Sequence, residues 1–257
     1  MEIDVTLWLL TALAGFAAGL IDSIVGGGGL VLTPAMLNLH PGLNILQAIG
    51  TQRTSSIMGT SVAAWNYLRK IHIERRILLP ACVAAMAASA IGVQFAKRLD
   101  PELLKWTVLT ICVILAVYTV FRKDLGLKEE RRFHPKHESL AALSIGTASG
   151  FYNGLIGPGT GTIMVFAFVS FLGLDFLKSS AVSKAANVSA DISSWTVLML
   201  SGFVLWVLAV PLIIGNMLGS YIGSHMAIRK GQTFVRAVFL VIVLALIARQ
   251  AWQLLTA

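Results

Sequence analysis

Apolar residues run along this chain in long blocks, and polar or glycine-rich positions separate them at regular places. Blocks at about 6–24, 45–68, 77–96, 103–121, 139–156, 176–200, 203–228 and 233–254 each approach or exceed the ~20 residues a helix needs to cross hydrocarbon. Two shorter pieces, 30–39 and 162–172, are each only about ten residues long, about 15 Å as helix and half a bilayer. Each follows a glycine cluster, Gly26-Gly27-Gly28-Gly29 in one case and Gly157-Pro158-Gly159-Thr160-Gly161 in the other. Such clusters unwind a helix rather than pack it. The pattern predicts an all-α, polytopic membrane protein. A helix broken by glycine and a half-helix, spanning or re-entrant, occur in it twice.

The second occurrence repeats the first at a fixed distance. Gly15 pairs with Gly146, Gly19 with Gly150, Gly26 with Gly157, Arg53 with Lys184, Pro80 with Pro211 and Gly92 with Gly223, every pair offset by 131 (184 minus 53, for example). A repeat of this length fixes architecture. It divides the chain into a first repeat, 1–121, a charged link, 122–137, and a second repeat, 138–257. Cations gather at 69–76, in the link and at Arg229-Lys230. If all of these face the cytoplasm, each half crosses an odd number of times, the repeats are inverted and both termini lie outside.

Composition narrows the class. Of 257 residues, 56% are hydrophobic and 12% charged, with a mean hydropathy of +0.80, too few charges to coat a water-facing surface. The net charge of +8 would suit a nucleic-acid partner, but its confinement to short links fits membrane topology instead, and no nucleic acid is expected. Glu2 and Asp4 precede the first apolar block where a cleavable signal would carry cations, so that block is expected to stay as a membrane helix. Cys82 and Cys112 lie inside apolar blocks with neither a CxxC spacing nor a nearby His, so no disulfide and no metal is expected. No GxSxG, HExxH or Walker lysine is present, so neither an enzyme nor a cofactor is expected.

The chemistry centres on two cations placed in oil. A charged side chain at the bilayer centre costs roughly 2.5–3.5 kcal/mol on insertion scales, so it serves a purpose there. Lys184, Asn187 and Asp191 share one helix face, and Arg53, Ser56 and Thr60 share the equivalent face in the first half. With the N–H groups of Gly27, Gly28, Gly29, Gly159, Thr160 and Gly161, these residues make a cage for a small anion. The alternative is two structural ion pairs, Lys184 with Asp191 and Arg53 with Asp22. Asp22 and Asn153 precede the two breaks, where capping competes with ligand contact. Asp22 and Asp191 are the acids deep in apolar blocks and are the candidates for proton coupling.

At these residues the chain resembles the TauE/SafE family of membrane permeases. The resemblance rests on the first glycine cluster with Pro34; on Gly50-Thr51-Gln52-Arg53 followed by Ser55-Ser56; on Gly157-Pro158-Gly159-Thr160-Gly161; and on Ser183-Lys184 with Asn187. It covers nearly the whole chain, and it adds Thr51, Gln52 and Ser183 to the substrate contacts. It implies export of sulfite or small sulfur-containing organic anions such as sulfonates across a bacterial inner membrane, with a homo-oligomer left open. A channel, or a proton-coupled importer of the same anions, is the alternative. Similar members often carry Asn-Lys where this chain has Gln52-Arg53, and an acid where it has Asn153. The planar fork of arginine suits a substrate of different size or charge.

Overall fold

The structure, a computed structural model, describes residues 5–96 and 129–255. The expected helix at 103–121, the turn with Lys97, Arg98 and Asp100, the link residues 122–128 and Cys112 lie outside the described residues. Every described element is helical. The helices are α1 (Val5–Val25), α2 (Gly28–Leu39), α3 (Ile45–Lys70), α4 (Arg75–Ala96), α5 (Pro135–Leu155), α6 (Thr160–Ala167), α7 (Phe176–Leu200) and α8 (Trp206–Leu255). A π-helical turn, Phe168–Leu172, extends α6, and Gly231 breaks α8 into two.

The boundaries follow from local chemistry. Gly26 and Gly27 adopt φ of +91° and +97°, and Gly157 and Gly159 adopt +86° and +88°, a region other residues enter only at a cost. The helices therefore stop at Val25 and Leu155 and restart three and five residues on, at Gly28 and Thr160. Asn44 and Gln47 form a reciprocal capping box at the start of α3, and the Asp175 carboxylate accepts the Lys178 N–H at 2.8 Å at the start of α7. The second half begins its first helix at Pro135, earlier than the expected 139 and inside the expected link. Proline suits a first helical position because its missing N–H would have no partner there.

Among the described residues, three helices are long and apolar enough to cross a membrane: Val5–Val25, Arg75–Ala96 and Trp206–Val241. The helices α3 and α7, of 26 and 25 residues, are long enough but carry polar faces that turn inward. Their buried Gln52, Arg53, Ser55, Lys184, Asn187 and Asp191 occupy the middle of the bundle.

Glycine stripes set the packing around this centre. A Cβ added at Gly15 would lie 2.8 Å from Leu212 O, and one at Gly19 would lie 2.3 Å from Asn216 O. In the second half, a Cβ at Gly146 would lie 2.5 Å from Ala81 O, and one at Gly150 would lie 2.4 Å from Ala85 O. The partners in these two sets are again 131 positions apart. Contacts ascend together along both pairs, so α1 runs parallel to α8 and α4 runs parallel to α5. Each half thus lends its first helix to the fourth helix of the other. Close approach through small residues is the usual way for helices to associate in lipid, where apolar burial gives little drive.

The basic segments meet at one end of the bundle. Arg131 donates to Glu74 at 2.9 and 3.0 Å, to Glu138 at 2.8 Å, and to Glu129. Lys178 reaches Glu129, and Arg76 approaches Glu138 at 3.0 Å. The strap 129–132 pairs its backbone with residues 172–173, Glu130 N donating to Gly173 O at 2.8 Å. The α3–α4 link and the starts of α5 and α7 are thereby bound together. Burial alone would raise the carboxyls of Glu74 and Glu129. The hydrogen bonds and charges of Arg131 and Lys178 outweigh that effect and hold both below the ordinary carboxylate value.

Removing Arg131 strips Glu138, whose side chain is 2% exposed, of its hydrogen-bonded partner. Arg131→Ala is expected to destabilise the protein by about 1–3 kcal/mol, read as a lower unfolding temperature in detergent near neutral pH. Because the folded carboxyl values are depressed, this stabilisation is present above the ordinary value of 4.5. It is lost as pH falls through the folded values, so the gap between wild type and variant closes on acidification.

Candidate functional site

The two glycine breaks touch. A Cβ added at Gly26 would lie 2.3 Å from the Gly161 carbonyl carbon, and one at Gly29 would lie 3.2 Å from Pro158 Cα. Between the breaks and the polar faces of α3 and α7 lies a narrow cavity of about 30 Å3. Its wall takes Asp22, Gly27, Gly29, Gln52, Arg53 and Ser56 from the first half. From the second it takes Asn153, the Gly157–Gly161 break, Asn187 and Asp191. A cavity of this size holds about two waters, less than a four-atom oxyanion requires.

Arg53, 3% exposed, reaches into the second half. Its Nη1 donates to Asn153 Oδ1 at 2.9 Å and to Ser194 Oγ, and its Nη2 donates to the Asn153 carbonyl. Asp191 Oδ1 lies 3.9 Å from Nη1. Of the three guanidinium nitrogens of Arg53, Nε is left without a partner. Asn153 completes the junction by donating to Asn187 Oδ1 at 3.0 Å and to Asp191 Oδ1 at 2.9 Å. Ser56 Oγ donates to the other Asp191 oxygen at 3.0 Å.

Lys184, fully buried, makes the mirror-image reach into the first half. Its Nζ donates to the Asp22 carbonyl and lies 3.4 Å from Asp22 Oδ2. That carboxylate also accepts from Thr60 at 3.1 Å and from the Gly28 N–H at 3.2 Å. Asp22 therefore caps α2, where a helix N-terminus favours negative charge. The N-terminus of α6 has no side-chain cap.

The structure thus brings most of the sequence-selected residues to one place. Gly27, Gly29, Gln52, Arg53, Ser56, Gly159, Thr160, Gly161, Asn187, Asp22 and Asp191 line the cavity. Lys184 lies behind Asp22 and not on the wall. Gly28 is set against Ala18 and Asp22, with the Ala18 carbonyl 2.6 Å from the place of a Cβ. Thr51 Oγ1 accepts from Leu205 N at 3.0 Å, a tie to α8, and Ser183 Oγ is buried without a hydrogen-bond partner. The ion pairs run crosswise between the halves, Arg53 with Asp191 and Lys184 with Asp22, instead of Lys184 with Asp191 and Arg53 with Asp22. A single helix could not place residues 184 and 191, seven apart, side by side. Sequence reasoning missed Ser194, although it extends the 184–187–191 stripe by one more turn. It also missed Thr33, whose hydroxyl donates to Gln52 Oε1 at 2.6 Å.

Spanning helices around a buried polar centre define a multi-pass membrane protein built to handle a polar solute. The chain belongs to the TauE/SafE family: the model described as "Sulfite exporter TauE/SafE" matches residues 11–249. It is 30% identical over 237 residues to "Probable membrane transporter protein ORF9" of Sinorhizobium sp, covering 92% of this chain and 89% of that one. It is 29% identical over 253 residues to a "Probable membrane transporter protein" of Haemophilus influenzae, covering 98% of both. It is also 27% identical to "Probable membrane transporter protein YfcA" of Escherichia coli over 228 residues, 88% of this chain and 82% of that one. No solved structure matches. The protein is a membrane transporter of this family.

The crosswise pairs make the cost of single substitutions lopsided. Asp22→Ala leaves Lys184 buried without its charge partner and is expected to cost about 3–5 kcal/mol. The double variant Asp22→Ala, Lys184→Met is expected to recover much of that loss relative to Asp22→Ala. Unfolding temperatures of the two singles and the double, taken as a double-mutant cycle, measure the coupling.

Proposed function

We propose that the cavity between the glycine breaks is the central site of an alternating-access transporter for sulfite or small sulfur-containing organic anions, and that the physiological direction is export across the inner membrane. The observation that carries this reading is Arg53: a buried guanidinium with Nε unpartnered, on the wall of a cavity that the N-terminal turn of α6 also lines, a turn with no side-chain cap. Both offer donors to an oxyanion, and charge-assisted bonds to such a group are among the strong ones. Gln52, Ser56, Asn187 and the Gly27, Gly29 and Gly159–Gly161 backbones complete the coordination, without Gly28, whose N–H is held by Asp22. Lys184 acts from behind, through Asp22.

Inverted repeats fit the geometry. The end of α3 and the start of the equivalent α7 lie at the same basic end, through Glu74, Arg131 and Lys178. Equivalent helices therefore run in opposite directions. The second repeat then begins at Pro135, and the strap joins the halves on the cytoplasmic side. Movement of one half against the other would widen a cavity too narrow for the substrate. An inside-negative potential favours anion exit by about 2.3 kcal/mol per charge per 100 mV.

Charge balance favours proton coupling as a second reading of direction. With Arg53, Lys184, Asp22 and Asp191 all ionised, the cluster sums to zero, and an added anion would be buried uncompensated. Protonation of Asp191, which sits at the cavity and faces Arg53, restores neutrality and would let the same site drive uptake.

The test is sulfite flux into and out of proteoliposomes. Arg53→Gln is expected to lower flux at least tenfold, corresponding to loss of a charge-assisted bond of about 1.5–3 kcal/mol. Asp191→Asn is expected to retain counterflow, the exchange of labelled for unlabelled sulfite, and to lose any stimulation by a pH gradient. Wild-type flux in the Arg53 variant would remove the site from consideration, and flux without counterflow would mark a channel.

A further inference from the structure

We propose that a cleft between the end of α3 and α8, remote from the central cavity, binds the phosphate headgroup of an anionic phospholipid. The cleft has a volume of about 570 Å3 and is lined by Arg69 and Lys70 from α3 and by His225 and Arg229 from α8, with Ile222 and Met226 beside them. The three cations are exposed. None of them forms an ion pair among the described residues. That distinguishes them from Arg76, Arg131 and Lys178 at the same end of the bundle, which all face glutamates.

The surroundings suit a lipid more than a free ion. Ile222 and Tyr221, 43% and 54% exposed, face outward along the membrane-side wall, where acyl chains would lie. Trp65 is 60% exposed with the Arg69 guanidinium stacked 4.6 Å above its ring, an aromatic and a cation paired as at a membrane interface. The floor is fixed: Asn66 Nδ2 donates to Ser224 Oγ at 2.9 Å, and the His225 ring lies 4.3 Å from that of Tyr221, tilted 46° to it. Basic pockets between spanning helices on the cytoplasmic side are a recognised chemistry for lipid phosphates, and the arginine fork matches phosphate geometry.

The internal repeat offers a control within the molecule. The positions 131 away from Asn66, Arg69, Lys70 and His225 are Val197, Leu200, Ser201 and Gln94, whereas Arg229 is matched by Arg98. The glycine packing is preserved between the halves and the Arg69–Lys70 charge is not, so helix packing does not require those two cations. The cleft lies at the end of the molecule where Arg76, Arg131 and Lys178 are already paired with glutamates.

Thermal unfolding of the full chain in nanodiscs tests the assignment. Wild type is expected to unfold several degrees higher in an equimolar phosphatidylcholine–phosphatidylglycerol disc than in phosphatidylcholine alone. The variant Arg69→Gln, Lys70→Gln, Arg229→Gln is expected to lose most of that shift, and Arg229→Gln alone part of it. A charge-matched variant at the same end, Arg75→Gln, Arg132→Gln, Lys136→Gln, is expected to keep it. The first variant should unfold close to wild type in phosphatidylcholine alone, because among the described residues its side chains form no internal ion pair and only Arg69 makes a ring contact, with exposed Trp65. Equal loss of the shift in the two triple variants would reduce the effect to general attraction and overturn the site. An equal shift from inorganic phosphate in phosphatidylcholine discs would overturn the lipid as its ligand.

Discussion

A charge in hydrocarbon must find a countercharge, and in this protein each buried cation finds it in the opposite half. Arg53 takes the carbonyl and side chain of Asn153 and the neighbourhood of Asp191. Lys184 takes the carbonyl and carboxylate of Asp22. Both main-chain oxygens lie in the last turn of a helix that ends at a glycine break, where carbonyls begin to lose their usual partners. The Asp22 carbonyl keeps the Gly26 N–H at 2.7 Å and takes Lys184 as a second donor, whereas the Gly157 N–H turns to Tyr152 and leaves the Asn153 carbonyl to Arg53. That mutual need holds the two breaks together and puts α3 and α7 in the centre. The glycine-striped pairs, α1 with α8 and α4 with α5, are left to enclose them.

The two halves solve the same problem with different residues. The first half carries its acid at Asp22, hydrogen-bonded to Thr60. The second has Asn153 at the equivalent place and carries its acid at Asp191, the equivalent of Thr60, with Asn153 donating to it at 2.9 Å. One carboxylate per half is kept, but on opposite members of the pair. The consequence is asymmetry at the cavity. Asp22 fills the N-terminus of α2 and screens Lys184, whereas Asp191 leaves the N-terminus of α6 open and Arg53 on the wall. A symmetric fold therefore presents a one-sided site, and the proposed anion would enter from the Arg53 side.

Much of this was legible in the sequence. Block length and glycine clusters located α1, α2, α3, α4 and α7 to within a few residues, because spanning length and positive φ are properties of the local chain. The 131-residue offset already paired Gly15 with Gly146 and Gly19 with Gly150, the contacts that set the helix approach. The start of α5 at Pro135 was less legible, since Lys136 and His137 look like link until the strap and Glu138 dock beside them. Helical spacing also grouped Arg53 with Ser56, and Lys184 with Asn187 and Asp191.

Tertiary structure decided what depends on distances between the halves. Helical periodicity says that a face turns inward, not which oxygen from 100 or more residues away will meet it. Only the fold could couple Arg53 to Asp191 and Lys184 to Asp22, move Lys184 off the cavity wall, and give Thr51 a structural tie to Leu205. Only the fold could bring Arg69 beside Arg229 and Arg131 beside Glu74, turning scattered positive links into one unpaired cleft and one neutralised strap. The sequence by itself determined where charge and glycine enter the membrane, since hydrophobicity and backbone freedom act residue by residue. The fold determined how that charge is balanced, because Coulomb interaction depends on separation in space and not along the chain.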